Sequence, residues 1–386
     1  MINKQHLYFT DRIHFYKSVL WLCLLVLCSQ HIVIAQPELD STIIDKLFAE
    51  KNNKKTKLLP LPYAGYLPET HFLAGGALLV TTRLSKDTSL PFSYTETDYT
   101  YTQNHQTIIE NDMFLYLGHH YILKGLIGYE SYPDKYWGIG NKTSSDSLNG
   151  YNSRRIFADL TFVRKINKRL YVGLKYRLYK MYDINFLNGT DNLNHSHVTG
   201  YNGSFSNGVG FALIWDSRDN ILTTSTGTYI GIFNPKFGKY TFSDHTFSRY
   251  ELDVRHFIKL DSKNILAFQL VGNFVTGDAP FNMLAITGSD DDMRGYYKGR
   301  YRDKDYLSIQ AEYRRHLFWR IGVTAFVSTG DVNNNLGNLF STLPKYSYGG
   351  GIRLKVNRKE NINIRLDYAW GTPGNQGLYI YLAEAF

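Results

Sequence analysis

The sequence predicts an all-β fold: a transmembrane antiparallel β-barrel of sixteen strands. Three observations point there. In Asn361–Trp370, Ile362, Ile364, Leu366, Tyr368 and Trp370 share one parity, while Asn361, Asn363, Arg365, Asp367 and Ala369 share the other. Side chains alternate across a strand, so this segment has one apolar face and one polar face. The pattern recurs through most of the chain, aromatic residues make up 15% of it, and the sequence ends on Phe386. A soluble sandwich would turn the apolar face inward, whereas a membrane barrel turns it outward into lipid.

The first 35 residues read as a secretory signal peptide. Lys4, Arg12 and Lys17 precede the apolar run Val19–Leu27, and Val33-Ile34-Ala35 forms a cleavage site. The apolar run is too short for a membrane-spanning helix, which needs about 20 residues. Cys23 and Cys28 both fall in this leader, so the mature chain offers no thiol for a disulfide or a metal. Residues 36–60 are polar and lysine-rich and read as a short periplasmic lead-in. Residues 61–386 form the barrel. A mean hydropathy of −0.30 fits a barrel because the polar inner face dilutes the average. The net charge of +9 is scattered over alternating strand positions and carries no nucleic-acid motif.

Strands are expected at Tyr63–Leu67, Phe72–Leu84, Phe92–Gln103, Gln106–Leu117, Tyr121–Ser131, Arg155–Ile166 and Arg169–Tyr182. Asn207–Asp216, Thr228–Lys239, Ser248–Leu260 and Ile265–Thr276 follow. The closing set is Tyr306–Leu317, Arg320–Gly330, Tyr348–Asn357, Asn361–Trp370 and Gly377–Phe386. Short turns such as Asp261–Asn264 alternate with long loops such as Pro133–Arg154, Asp183–Ser206, Gly277–Asp305 and Asp331–Ser347. Barrels of bacterial outer membranes keep short turns in the periplasm and long loops outside. Arg155, Asp159, Lys175, Arg177, Glu251, Asp253 and Arg255 all lie on the polar parity of their strands. A charge facing lipid near the midplane costs about 2–4 kcal/mol, so this parity is the lumen. His256 and Glu384 fall on the apolar parity.

Four segments resemble the BamA/TamA family of outer-membrane assembly and translocation barrels, the bacterial surface antigen family. Met293-Arg-Gly-Tyr296, with Tyr301-Arg-Asp303 after it, resembles the family's V/L-R-G-F/Y signature in the sixth extracellular loop. Gln310-Ala-Glu-Tyr-Arg314 follows on the next strand, and Phe326-Val-Ser-Thr-Gly330 stands where the family has F-x-D-x-G. Trp215-Asp-Ser-Arg-Asp219 with Gly227 resembles the D-x-R-D…G turn, so Asp216, Arg218, Asp219 and Gly227 form a periplasmic turn motif. Leu61–Thr70 is similar to the family's first hairpin. Only the short lead-in stands before it, so the resemblance is to a barrel without periplasmic polypeptide-transport-associated domains.

The resemblance implies that Arg294, with Gly295 and Tyr296, enters the lumen and locks onto wall carboxylates. Glu312 has the lumen parity and is the expected acceptor. The second acceptor of the family is replaced here by Ser328, with Gly330 two residues on; Asp331 and Asp367 are the alternative carboxylates. Arginine suits the task because its planar fork makes charge-assisted paired hydrogen bonds. Gly377 and Phe386 mark the C-terminal strand signal.

Three functions follow as alternatives. The first is assembly, insertion or translocation of proteins or lipids at the outer membrane. The others are a loop-gated passive pore and a structural anchor for a surface partner. The expected partners are the lipid bilayer with its lipopolysaccharide, client outer-membrane or secreted proteins, and partner subunits, but no nucleic acid. The sequence carries no Gly-x-Ser-x-Gly, His-Glu-x-x-His, P-loop or dinucleotide fingerprint. No catalytic residue, cofactor or metal is therefore expected, and His195-Ser-His197 reads as a solvated loop.

Overall fold

The structure is a computed structural model that describes residues 56–67, 71–85, 93–187, 198–221, 223–357, 362–371 and 374–386. The predicted leader with Cys23 and Cys28, the lead-in as far as residue 55, and His195-Ser-His197 lie outside them. The described strands begin with β1 (Thr56–Leu67), β2 (His71–Thr82), β3 (Ser93–Thr102), β4 (Thr107–Leu117), β5 (Tyr121–Tyr136) and β6 (Asn149–Lys165). Next come β7 (Leu170–Phe186), β8 (Ser204–Asp216), β9 (Gly227–Phe237), β10 (Phe247–Lys259) and β11 (Asn264–Gly277). The short β12 (Ala285–Ile286) and β13 (Arg302–Asp303) are followed by β14 (Asp305–Phe318), β15 (Ile321–Asn333), β16 (Lys345–Asn357), β17 (Ile362–Trp370) and β18 (Gln376–Leu382).

All but β12 and β13 form one 16-stranded sheet in chain order, each strand antiparallel to its neighbours. β12 and β13 pair with each other inside the long connection from β11 to β14. The sheet's end strands, β1 and β18, approach one another, with no registered ladder between them among the described residues.

Each expected strand is present, and its alternation sets its faces. On the outer face, Ile156 and Phe162 are each 40% exposed and Leu174 is 56% exposed. On the inner face Asp159 sits opposite Arg177 in the β6–β7 register. Lys175 and Arg177 both pair with Asp159, and Arg177 also pairs with Glu251 of β10. Opposite charges on adjacent strands thus satisfy one another where a lone charge would be costly. His256, on the apolar parity, has its Nδ1 2.9 Å from the Thr228 hydroxyl of β9, which supplies the hydrogen bond that the outer face lacks.

The structure corrects the strand limits in three places. The first strand begins at Thr56 and has 12 residues, so it takes in part of the expected lead-in. Pro60 and Pro62 suggest a break, yet they are two residues apart and place their missing N–H groups on the same side. An end strand tolerates that arrangement. Second, β5, β6 and β7 run past the expected apolar segments, and Pro133 pairs with Asn152 within what reads as loop. Ladder pairing continues there past the end of the apolar alternation, as far as Tyr136 opposite Asn149. Third, β18 stops at Leu382, and Ala383 adopts a left-handed φ of 70°. That turn takes Phe386 out of the sheet and breaks the parity on which Glu384 was assigned to lipid.

Candidate functional site

The connection between β11 and β14 packs onto the inner face of β14–β18 through a buried set of charges. Arg294 stands at its centre, fully buried, as are Glu312 of β14 and Asp367 of β17. Its Nη2 donates to Glu312 Oε2 at 2.5 Å and its Nη1 to Asp367 Oδ2 at 2.7 Å. The guanidinium carbon lies 3.5 Å from the centroid of the Phe326 ring of β15, between those two strands. A cation over an aromatic face adds attraction without needing another acceptor. The expected residues Arg294 and Glu312 are therefore in contact. Ser328 is not the second acceptor: its hydroxyl lies 2.6 Å from that of Ser347, and Asp367 takes the position. Asp331 instead accepts from Asn141 and from the Phe340 backbone.

Side-chain size decides how these charges converge. Across the sheet, Arg314, Thr324, Gly351, Asp367 and Tyr379 lie in one register row. The missing side chain of Gly351 gives Asp367 and Arg353 room to meet over β16, since a Cβ there would stand 2.8 Å from Arg353 Nη1. Gly377 plays the same part for Tyr379, whose hydroxyl would lie 2.6 Å from a Cβ at 377. The Tyr379 hydroxyl accepts a 2.8 Å hydrogen bond from the Gly295 backbone. Gly295 has φ 104°, and a Cβ would sit 2.8 Å from the Trp370 carbonyl carbon. Only glycine combines that dihedral with so close an approach. Gly330 admits Met293, whose sulfur would be 3.4 Å from a Cβ there. Tyr296 donates to the Tyr346 carbonyl at 2.9 Å.

A second anchor lies two residues before Arg294. Asp292 accepts from the Tyr306 hydroxyl at 2.6 Å and from Ser308 at 2.7 Å. Burial pushes its carboxyl up to about 7, against the lowering effect of the two hydroxyls, with Asp291 and Asp253 adding repulsion. Arg365 completes the set, donating to Asp290 at 3.0 Å and approaching Asp367 at 3.4 Å.

Sequence reasoning missed Arg353, Arg365 and Glu384 as members of this cluster. The inner parity of the two arginines was visible in the alternation. Glu384 was not, because Ala383 reverses it: Arg353 Nε donates to Glu384 at 2.7 Å, as does Asn363. Phe386, expected as part of the last strand, packs instead with Phe257, Ala267 and Ala385. Arg314 donates to its carbonyl oxygen at 2.9 Å.

The turn from β8 to β9 holds Asp216, Arg218, Asp219 and Gly227 together. Arg218 makes a two-pronged contact with Asp216 at 3.0 and 2.7 Å and lies over the Tyr229 ring. Asp219 accepts from the Asn220, Ser225 and Thr226 backbones and from the Ser225 hydroxyl. Burial alone would raise its carboxyl, but these donors outweigh it and hold the group below the usual carboxylate range. Gly227 has φ 112° and admits the Ser217 carbonyl, and Thr224 of the same turn accepts from Arg314 at 3.4 Å.

A model of the Omp85 superfamily domain matches residues 74–386. No curated protein matches the chain. Among solved structures, the fold is similar to BamA from Haemophilus ducreyi lacking POTRA domains 1-3, at 13% identity and a TM-score of 0.56, over 86% of this chain and 71% of that one. It is also similar to CdiB from Acinetobacter baumannii, at 12% identity and a TM-score of 0.55, over 86% of this chain and 60% of the other. CdiB from Escherichia coli gives 10% identity and a TM-score of 0.55, over 86% and 62% of the two chains. At such identities the likeness is one of fold, and this chain spans less than two thirds of either CdiB chain.

Proposed function

The chain belongs to the Omp85 superfamily of bacterial outer-membrane β-barrel proteins, and from that premise we propose that it assembles, inserts or translocates client proteins at the outer membrane. The sheet closes into a barrel along the meeting of β1 and β18, and the β11–β14 loop folds into its lumen. Residues 1–35 serve as a cleaved signal peptide and the stretch before β1 as a short periplasmic lead-in. The observation that carries the reading is the loop anchored by Arg294 beside a sheet whose end strands approach without a registered ladder among the described residues. Unpaired strand edges template the pairing of another strand. A seam held by few ladder bonds is therefore where a client strand would enter, and the anchored loop sets how readily the wall beside it yields.

Depleting the chain and comparing the outer-membrane and secreted proteins with those of undepleted cells tests this. A defined set of clients should fall in abundance and should co-purify with the barrel after crosslinking. An unchanged set of proteins, with steady ohmic conductance of the purified barrel in planar bilayers, would instead mark a passive pore. Small, irregular conductance is expected of a barrel filled by its own loop.

A further inference from the structure

Arg294 and five other charges form a closed ring in which signs alternate. Arg294 contacts Asp367 at 2.7 Å, Asp367 contacts Arg353 at 2.5 Å, and Arg353 contacts Glu384 at 2.7 Å. Returning the other way, Glu384 lies 3.8 Å from Arg314, Arg314 is 2.6 Å from Glu312, and Glu312 is 2.5 Å from Arg294. No side chain in the ring is more than 7% exposed. Its members come from the loop, from β14, β16 and β17, and from the segment Ala383–Phe386 that follows β18. That segment is fastened further by Arg314, whose guanidinium carbon lies 5.6 Å from the Phe257 ring centroid and 5.3 Å from that of Phe386. Strand β18 also holds the loop directly, through Tyr379 and the Gly295 N–H.

The geometry points to a mechanical relay: the segment after β18 and the loop carrying Arg294 are held, and released, together. Each carboxylate in the ring lies between two arginines, and each arginine between two carboxylates. Removing the charge at Glu384 leaves Arg353 with Asp367, and Arg314 with Glu312, as the one carboxylate partner each keeps in the ring. The shared carboxylates are then drawn from Arg294 toward the two arginines that have lost a partner. Breaking one buried partner is costly because the others stay desolvated, and residues within one network respond as a unit. Movement of β18, at the edge of the sheet, would therefore free the loop, and freeing the loop would loosen β18 by the same factor, as linkage requires. This coupling goes beyond the proposed function: it holds whether the seam admits a client, a lipid or nothing.

Hydrogen exchange of the full chain in detergent or bilayers tests it. Glu384→Gln should speed exchange of the amides at 289–301 by about tenfold, within the usual range of coupling between sites. Arg294→Gln should speed exchange at 376–386 by a similar factor. In the double variant neither segment should exceed the faster single one. Asp159→Asn, which disturbs the separate pairs with Lys175 and Arg177, should leave both segments unchanged. Faster exchange at 376–386 alone in Glu384→Gln would overturn the relay, and so would acceleration spread evenly over β5–β8. Should Glu384→Gln fail to assemble, the milder Glu384→Asp decides: both segments should accelerate in proportion, and a response confined to 376–386 overturns the idea. Loss of the relay would leave the proposed function standing, because client depletion does not depend on exchange at the loop.

Discussion

At the scale of single residues, the substitution of serine for aspartate at 328 is compensated rather than left open. Asp367 reaches Arg294 from β17, while Ser328 bonds to Ser347. Parity alone places Glu312 and Asp367 on the inner face; Asp331 stands one residue off the inner parity of Ser328 and Gly330. What lets Asp367 meet its partners is the absence of bulk at Gly351, which no alternation pattern encodes. Arg294→Ala would take one arginine partner from each of two fully buried carboxylates, and removing one partner from a buried ionic pair typically costs about 3–5 kcal/mol. The gel mobility of the folded barrel should then be lost at a lower temperature. Asp367→Asn should lower it less, and Ser328→Asp added to that variant should recover part of the loss by returning a carboxylate to the position the family motif uses. No recovery would mean that the acceptor must approach from β17.

At the scale of elements, the ends of the sheet were the least legible parts and the loop among the most. Prolines in β1 concealed seven of its residues, and one left-handed residue, Ala383, turned an expected strand end into an inward segment. Neither is visible to an alternation argument, because both depend on which side of a strand is left unpaired. The loop was legible because its Arg-Gly motif is specific, but its second foot at Asp292 was not: an aspartate among aspartates gives no sign of which one is buried. That foot predicts a pH dependence. The folded carboxyl is raised to about 7, so the folded state binds the proton more tightly than the unfolded chain does. Its contribution is complete below the ordinary carboxylate range and is lost as pH rises through about 7. Thermal stability of the loop, followed by exchange at 289–301, should therefore fall between pH 6 and pH 8. Asp292→Asn, which stays neutral while keeping polar atoms toward Tyr306 and Ser308, should flatten that dependence and be the more stable protein at pH 8. An unchanged slope would mean that another group controls the loop.

At the scale of the whole molecule, the four longest connections leave the same end of the sheet. The long ones, 137–148, 187–203, 278–304 and 334–344, leave one end, and the short ones at 118–120, 166–169, 260–263 and 319–320 leave the other. The ionic ring lies toward the short-turn end, for Arg314 pairs in register with Ile265 and contacts Thr224 of the β8–β9 turn. In an outer-membrane barrel that end faces the periplasm, the side from which a client chain would arrive. The relay between β18 and the loop would then stand where such a chain first meets the seam. An epitope inserted at the exposed turn Ser145–Ser147 should be bound by antibody on intact cells, and one at the exposed Ser262 only after the outer membrane is permeabilised. The reverse result would invert the barrel and place the ring at the cell surface, where a client leaving the periplasm could reach it only after crossing the lumen.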